Sequence, residues 1–133
     1  CILTKDNDVF DIRDIRQTRF TLANGNDTEV MRKFQFDFRK LMQDYQIDSV
    51  AIKERQPKGK FAGSAKGFKM ETAIQLIEEL DVEVLSATTI KEQLKRNPLP
   101  IAFEDTGLKK FQENAFINAY VYLMRKTYKR DED

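Results

Sequence analysis

The stretch Lys53–Glu71, KERQPKGKFAGSAKGFKME, gathers the residues best suited to handling an anion. Lys58, Lys60, Lys66 and Lys69 supply positive charge, while Gly59, Gly63, Ser64 and Gly67 let a backbone come close to a ligand. The stretch leaves an apolar strand pattern ending Val50-Ala51-Ile52 and enters an apolar helix pattern. Free N–H groups and the positive end of a helix dipole are therefore expected beside those lysines, an arrangement that favours an anion. It is not a nucleotide P-loop, because Gly-x4-Gly-Lys-Ser/Thr is satisfied in no register. A second basic cluster, Lys91, Lys95 and Arg96, follows the next strand pattern and is expected on the same edge of the sheet. Three readings stay open for these clusters: solubilising lysines, contact with nucleic-acid phosphates, or another anionic ligand.

The carboxylates offer a second chemistry. Glu54 sits at the tip of the strand Val50-Ala51-Ile52, where a carboxylate could hold Mg²⁺ or Mn²⁺ together with an acid from a facing element. Glu113 is one candidate for that partner, and the pair Glu104-Asp105 is another. The alternative for Glu54 is an ion pair with its neighbours Lys53 and Arg55. Thr88 and Thr89 read as a helix start, and Tyr120, Tyr122 and Tyr128 as packing. Other chemistries are closed off by composition. The 133 residues contain no histidine, which removes Ser-His-Asp, Cys-His and zinc-histidine sites. One cysteine, Cys1, allows neither an internal disulfide nor a cysteine-rich zinc site and points to a reducing cytoplasm. The net charge of +1 means that any affinity for nucleic acid must come from local clusters. No apolar run approaches a membrane span, so no membrane partner is expected.

The elements that must position these groups follow from periodicity. Cys1–Thr4, a turn at Lys5-Asp6-Asn7-Asp8, and Val9–Leu22 read as a hairpin or meander. Asn26 with Glu29 has capping-box spacing, and a helix is expected from there to about Gln46, with Val30, Phe34, Phe38, Leu41 and Tyr45 on one face. Phe36 lies off that stripe, as a second packing contact or part of a partner surface. Ile47–Ile52 reads as a short buried strand, Ala62–Leu80 as a helix, and Val82–Leu85 as a strand. Ser86–Arg96 reads as a short helix with Thr89 and Glu92 at capping-box spacing, ended by Asn97-Pro98-Leu99-Pro100. A last helix is expected from about Thr106 to Tyr128, with a charged tail from Lys129 to Asp133. Strands followed by alternating helix and strand make a single α/β domain over residues 1–133, with a mixed sheet and an antiparallel opening hairpin. The abrupt opening Cys1-Ile2-Leu3-Thr4, without an initiator Met, leads us to expect a further strand upstream.

This order of parts, with Val50-Ala51-Ile52-Lys53-Glu54 at a strand end and Ser86-Ala87-Thr88-Thr89-Ile90-Lys91 at a later helix start, resembles the ribonuclease-H-like superfamily. Within it the chain looks most like the RuvC-type resolvases, over roughly Val50 to Val121. The whole chain also resembles a family of uncharacterised bacterial proteins of similar length, through stretches such as Lys58-Gly59-Lys60-Phe61-Ala62-Gly63 and Lys95-Arg96-Asn97-Pro98-Leu99-Pro100. The resemblance implies a three-layer fold with helices on both faces of the sheet. It implies branched or duplex nucleic acid as partner and, in an active enzyme, a Mg²⁺- or Mn²⁺-dependent nuclease using Glu54 and Glu113. The departures weigh against catalysis. Lys53 rather than Glu54 falls in the register where those enzymes carry a glutamate, and one position changes the face of a strand. Asn114 or Asn118 stands where they carry an aspartate, and a neutral amide is a weaker ligand for a hard cation. The expectation is a nucleic-acid binder with lost or weakened nuclease activity, the alternatives being an active nuclease and a non-catalytic interaction module, with a homodimer open to either.

Overall fold

The computed structural model describes residues 1–7, 9–16, 19–55 and 64–132. The chain divides into two compact units, one made of Cys1–Thr18 with Val84–Asp133 and the other of Arg19–Glu83. Four helices and four strands are described, the strands forming two two-stranded sheets.

In the first unit β1 (Ile2–Asp6) and β2 (Val9–Arg13) form the expected hairpin, antiparallel, with Ile2 opposite Arg13 and Asp6 opposite Val9. Asn7 takes the left-handed backbone that such a tight connection needs, with φ of 57°, a conformation asparagine tolerates better than most residues. No strand continues from Asp14 to Leu22 among the described residues, so the expected meander is a simple hairpin. The helix α3 (Ala87–Arg96) is capped by Ser86, whose Oγ accepts from the Thr89 N–H at 3.1 Å. Thr89 is thus the residue being capped and not the cap. A buried Ile90 anchors the helix.

The last helix differs from its expected start. Phe103–Thr106 and Lys110–Gln112 are short 3-10 turns separated by Gly107 at φ of 79°, and α4 proper spans Glu113–Glu132. A left-handed residue cannot sit inside an α-helix, which is why the pattern beginning at Thr106 does not propagate. The Lys109 N–H donates to Gln112 Oε1, closing the turn from which α4 grows. Phe116, Tyr120, Val121 and Tyr122 of α4 are buried. Tyr120 stacks obliquely on Phe10 at 5.4 Å, and its hydroxyl donates to the carbonyls of Asn97 and Pro98, both at 3.0 Å. Lys5 Nζ donates to Thr127 Oγ1 at 2.9 Å and ties β1 to the same helix.

In the second unit α1 (Thr28–Asp44) begins one residue later than its expected cap. Asp27, not Asn26, accepts from the N–H groups of Glu29 and Val30, at 2.9 and 3.3 Å. Phe34, Leu41 and Met42 are buried, and Phe20 packs edge-on against Phe34 and tilted against Phe38. Leu22, Phe34 and Ala73 form a core lined by Phe20, Val30, Met31, Met70 and Ile74. Phe36 is 64% exposed and makes no second packing contact in that core. The helix α2 (Ala65–Gln75) starts after Ser64, whose Oγ accepts from the Gly67 N–H at 3.0 Å. β3 (Ser49–Lys53) pairs in parallel with β4 (Asp81–Leu85), and β4 carries the chain from the second unit to the first. The side chains of Val50, Ala51 and Ile52 are half-buried, not fully enclosed as expected for that strand. The single mixed sheet expected from the element order is therefore replaced by one antiparallel and one parallel pair.

Candidate functional site

The site is best assembled from the end of β3. Lys53 and Glu54 are exposed, and Glu54 makes no ion pair with a described residue. The next residue, Arg55, does the work of contact. Its guanidinium lies flat on the first turn of α2, so close that a Cβ built on Gly67 would stand 3.0 Å from Arg55 Cζ and Nη1 and 3.1 Å from Nε. Glycine is required there by this approach and not by its own backbone angles. One turn further along α2, Glu71 Oε2 lies 3.7 Å from Arg55 Nε. That separation is too long for a hydrogen bond and short enough for a strong charge interaction. The Glu71 side chain is 13% exposed, and its Oε2 is buried with no hydrogen-bond partner. Arg55, 44% exposed, thus lies beside a buried carboxylate.

This placement sets a cation against the positive end of the α2 dipole, where an anion is the favoured neighbour. The first turn of α2 contributes no acid of its own. Arg55 also leads directly into residues 56–63. Lys58 and Lys60, two of the expected phosphate contacts, lie there, outside the described residues.

Lys66 and Lys69 tie α2 to the segment before α1. Lys69 Nζ donates to the Gly25 carbonyl at 2.8 Å and to Asn26 Oδ1 at 2.9 Å. Lys66 Nζ donates to the Ala23 carbonyl at 3.3 Å. Together they staple the 23–26 segment, which leads into the α1 cap, to α2. All the acceptors are neutral, so both ammonium charges remain uncompensated by these contacts. Asn26, read from sequence as a cap, is occupied here.

Lys91, Lys95 and Arg96 are exposed on α3 in the first unit, and none of them has an ion-pair partner among the described residues. Lys91 and Lys95 stand one turn apart on one face, a like-charge pair that costs a few tenths of a kcal/mol in a helix. Lys95 and Arg96 lie in the last turn, where the dipole favours them.

Glu54 belongs to the second unit and the other candidate acids to the first. Glu113 opens α4 and is engaged by Lys110, with Nζ 2.7 Å from Oε2. The hydrogen bond and charge of Glu113 hold the Lys110 ammonium above its ordinary pKa, and Lys110 also lies 5.8 Å from the centre of the Phe103 ring. Glu104 and Asp105 are exposed on the 3-10 turn of Phe103–Thr106. Among the described residues no group of three or more Asp, Glu or Cys side chains is gathered to hold a metal ion. Asn118 is buried on α4 and Asn114 exposed. Neither is seen with an acid, and neither supplies charge.

Arg55 and Glu71 are the residues that sequence reasoning passed over. A glycine and a glutamate one turn apart at a helix start, with an arginine at the preceding strand end, is the signal that points to them. No curated protein and no solved structure matches the chain. The family described as "Protein of unknown function (DUF3010)" matches residues 1–122, nearly the whole sequence, and the chain belongs to that family.

Proposed function

We propose that the protein binds the phosphates of duplex or branched nucleic acid on a ribonuclease-H-like scaffold, without metal-dependent cleavage. The observation that carries this reading is Arg55, held by buried Glu71 against the glycine in the first turn of α2. A guanidinium beside helix N–H groups is unfavourable alone and favourable around a phosphate, because both then face the same anion. Lys66 and Lys69 add uncompensated charge nearby on the same helix, and the exposed Lys91, Lys95 and Arg96 offer a second cationic face on α3. Lys58 and Lys60 belong to the same reading through the sequence. Support for the scaffold comes from the element order alone, a hairpin, a helix, a strand, a helix, a strand and two further helices, and not from the pairing of the strands. Glu113 engaged by Lys110, and the neutral amides of Asn114 and Asn118, favour a binder over a nuclease.

The test is a titration of the protein with fluorescently labelled duplex and four-way junction DNA across a range of salt. Binding should fall log-linearly with salt, with a slope of about 0.9 for each phosphate neutralised. Arg55→Gln should lower affinity at least tenfold, and the combined replacement of Lys58, Lys60, Lys91 and Lys95 by Gln should abolish binding and flatten the slope. Binding that is unchanged in both variants would sink the proposal.

A further inference from the structure

We propose that the groove between α1 and α2 docks an acidic amphipathic helix of a partner protein. The groove is a shallow, open depression of about 480 Å³, lined by one face of each helix and by Gly25. Met31 of α1 with Phe68, Ala73 and Leu76 of and after α2 supplies apolar surface, and Arg32 and Lys69 flank it. On α1 the lining runs from Thr28 to Gln35 and on α2 from Phe68 to Leu76, two turns in each case. Two turns amount to about 11 Å, the length over which a helical ligand presents apolar anchors at i, i+3 or i+4, and i+7.

The one amide among the lining residues, Gln35, donates from Nε2 to the Ala73 carbonyl at 2.8 Å. An occupant meets a largely apolar floor with few polar groups. The exposed residues point the same way. Leu76 is 69% exposed where it caps α2, and Phe36, 64% exposed, extends the apolar edge of α1 one turn beyond Arg32.

Charge selects among apolar partners. The lining includes two cations and no acid. Lys69 spends its hydrogen bonds on neutral acceptors and keeps its charge. Arg32 is paired only to exposed Glu29, at 3.2 Å. An exposed pair of this kind is weak and exchanges readily for an incoming carboxylate. A ligand helix with glutamates flanking its apolar stripe satisfies both cations, whereas one flanked by lysines meets like charge on both walls.

The experiment uses the whole chain and two labelled, terminally blocked peptides that share one leucine stripe, with glutamate flanks in one and lysine flanks in the other. Fluorescence anisotropy should show saturable binding of the glutamate peptide, at least tenfold tighter than the lysine peptide. Leu76→Asp and Thr72→Glu, both at exposed positions, should each weaken it at least tenfold. Amide shifts in ¹⁵N spectra should centre on Met31, Thr72 and Leu76. Circular dichroism confirms that both variants fold. Four results overturn the proposal: no saturable binding of the glutamate peptide, equal binding of both peptides, indifference to both variants, or concentration-dependent self-association abolished by Leu76→Asp, which assigns the groove to a second copy of the chain.

Discussion

Gly67 gives the sharpest test of how Arg55 is held. An ordinary glycine inside a helix is a weakness, and replacing it with alanine stabilises by about 0.5–1 kcal/mol. At Gly67 the new Cβ would stand 3.0 Å from the Arg55 guanidinium, while comfortable carbon contact is about 3.5–4.0 Å. The guanidinium must then retreat by roughly half an ångström or more, and the charge it provides to Glu71, now 3.7 Å away, is weakened. Arg55 is half-exposed, so that loss is bounded by the value of a solvent-screened pair, about 0–1 kcal/mol. In the wild-type background Gly67→Ala should therefore be close to neutral. In an Arg55→Ala background the obstacle is gone, and the same substitution should recover the full alanine gain. The two values should differ by about 0.5–1 kcal/mol, a coupling well within reach of a double-mutant cycle. Urea unfolding followed by circular dichroism measures it, provided that the m-value is unchanged across the four proteins. Equal effects of Gly67→Ala in both backgrounds would refute the contact, and with it the claim that the glycine exists to admit the guanidinium.

Three further outcomes follow from the same structure. Asp27→Ala should cost about 1 kcal/mol because two N–H groups at the start of α1 lose their acceptor; Asn26→Ala should cost less, and the reverse order in a thermal melt rejects the cap assignment. Tyr120→Phe should destabilise by about 0.5–1.5 kcal/mol, since its hydroxyl serves the carbonyls of Asn97 and Pro98; an unchanged urea midpoint contradicts it. Lys91→Glu with Lys95→Glu should leave folding intact, because both are exposed, while lowering DNA affinity and the salt slope together; an unaltered slope removes α3 from the binding face.

Local patterns carried much of the architecture and little of the site. The hairpin was legible because a turn residue that tolerates the left-handed region, Asn7, sits between two short strand patterns. The buried face of α1 was legible in the spacing of Phe34 and Leu41. The helix cap slipped by one residue because Asn26 and Asp27 are both good caps, and only a tertiary fact separates them: Lys69 occupies the Asn26 side chain. That bond joins residues 43 apart in sequence, so no window of local periodicity contains it. The last helix was misplaced for the opposite reason. Gly107 was in plain view, but its positive φ, and not its identity, is what stops a helix starting at Thr106. That β3 and β4 pair with each other and not with the hairpin could not be foreseen, since strand patterns mark strands without naming their neighbours.

The lysines of the basic stretch show why counting charge is a poor guide to a binding site. The ammonium groups of Lys66 and Lys69 hold the approach to α1 through neutral acceptors and keep their charge. Arg55 looks like an incidental neighbour of Glu54, yet it is the cation whose position is built, by a missing side chain at Gly67 and a buried acid at Glu71. A buried carboxylate oxygen without a hydrogen bond is costly. A cation at the positive end of a helix is unfavourable as well. Each relieves the other in part through the 3.7 Å interaction, but neither explains why a fold should place both there. An anion bound beside Arg55 does explain it. The N–H groups and the guanidinium would then share one negative charge, and Glu71 would keep the guanidinium from collapsing onto it. The function proposed for this surface rests on that local conflict of charges, and Gly67 is the position at which to resolve it.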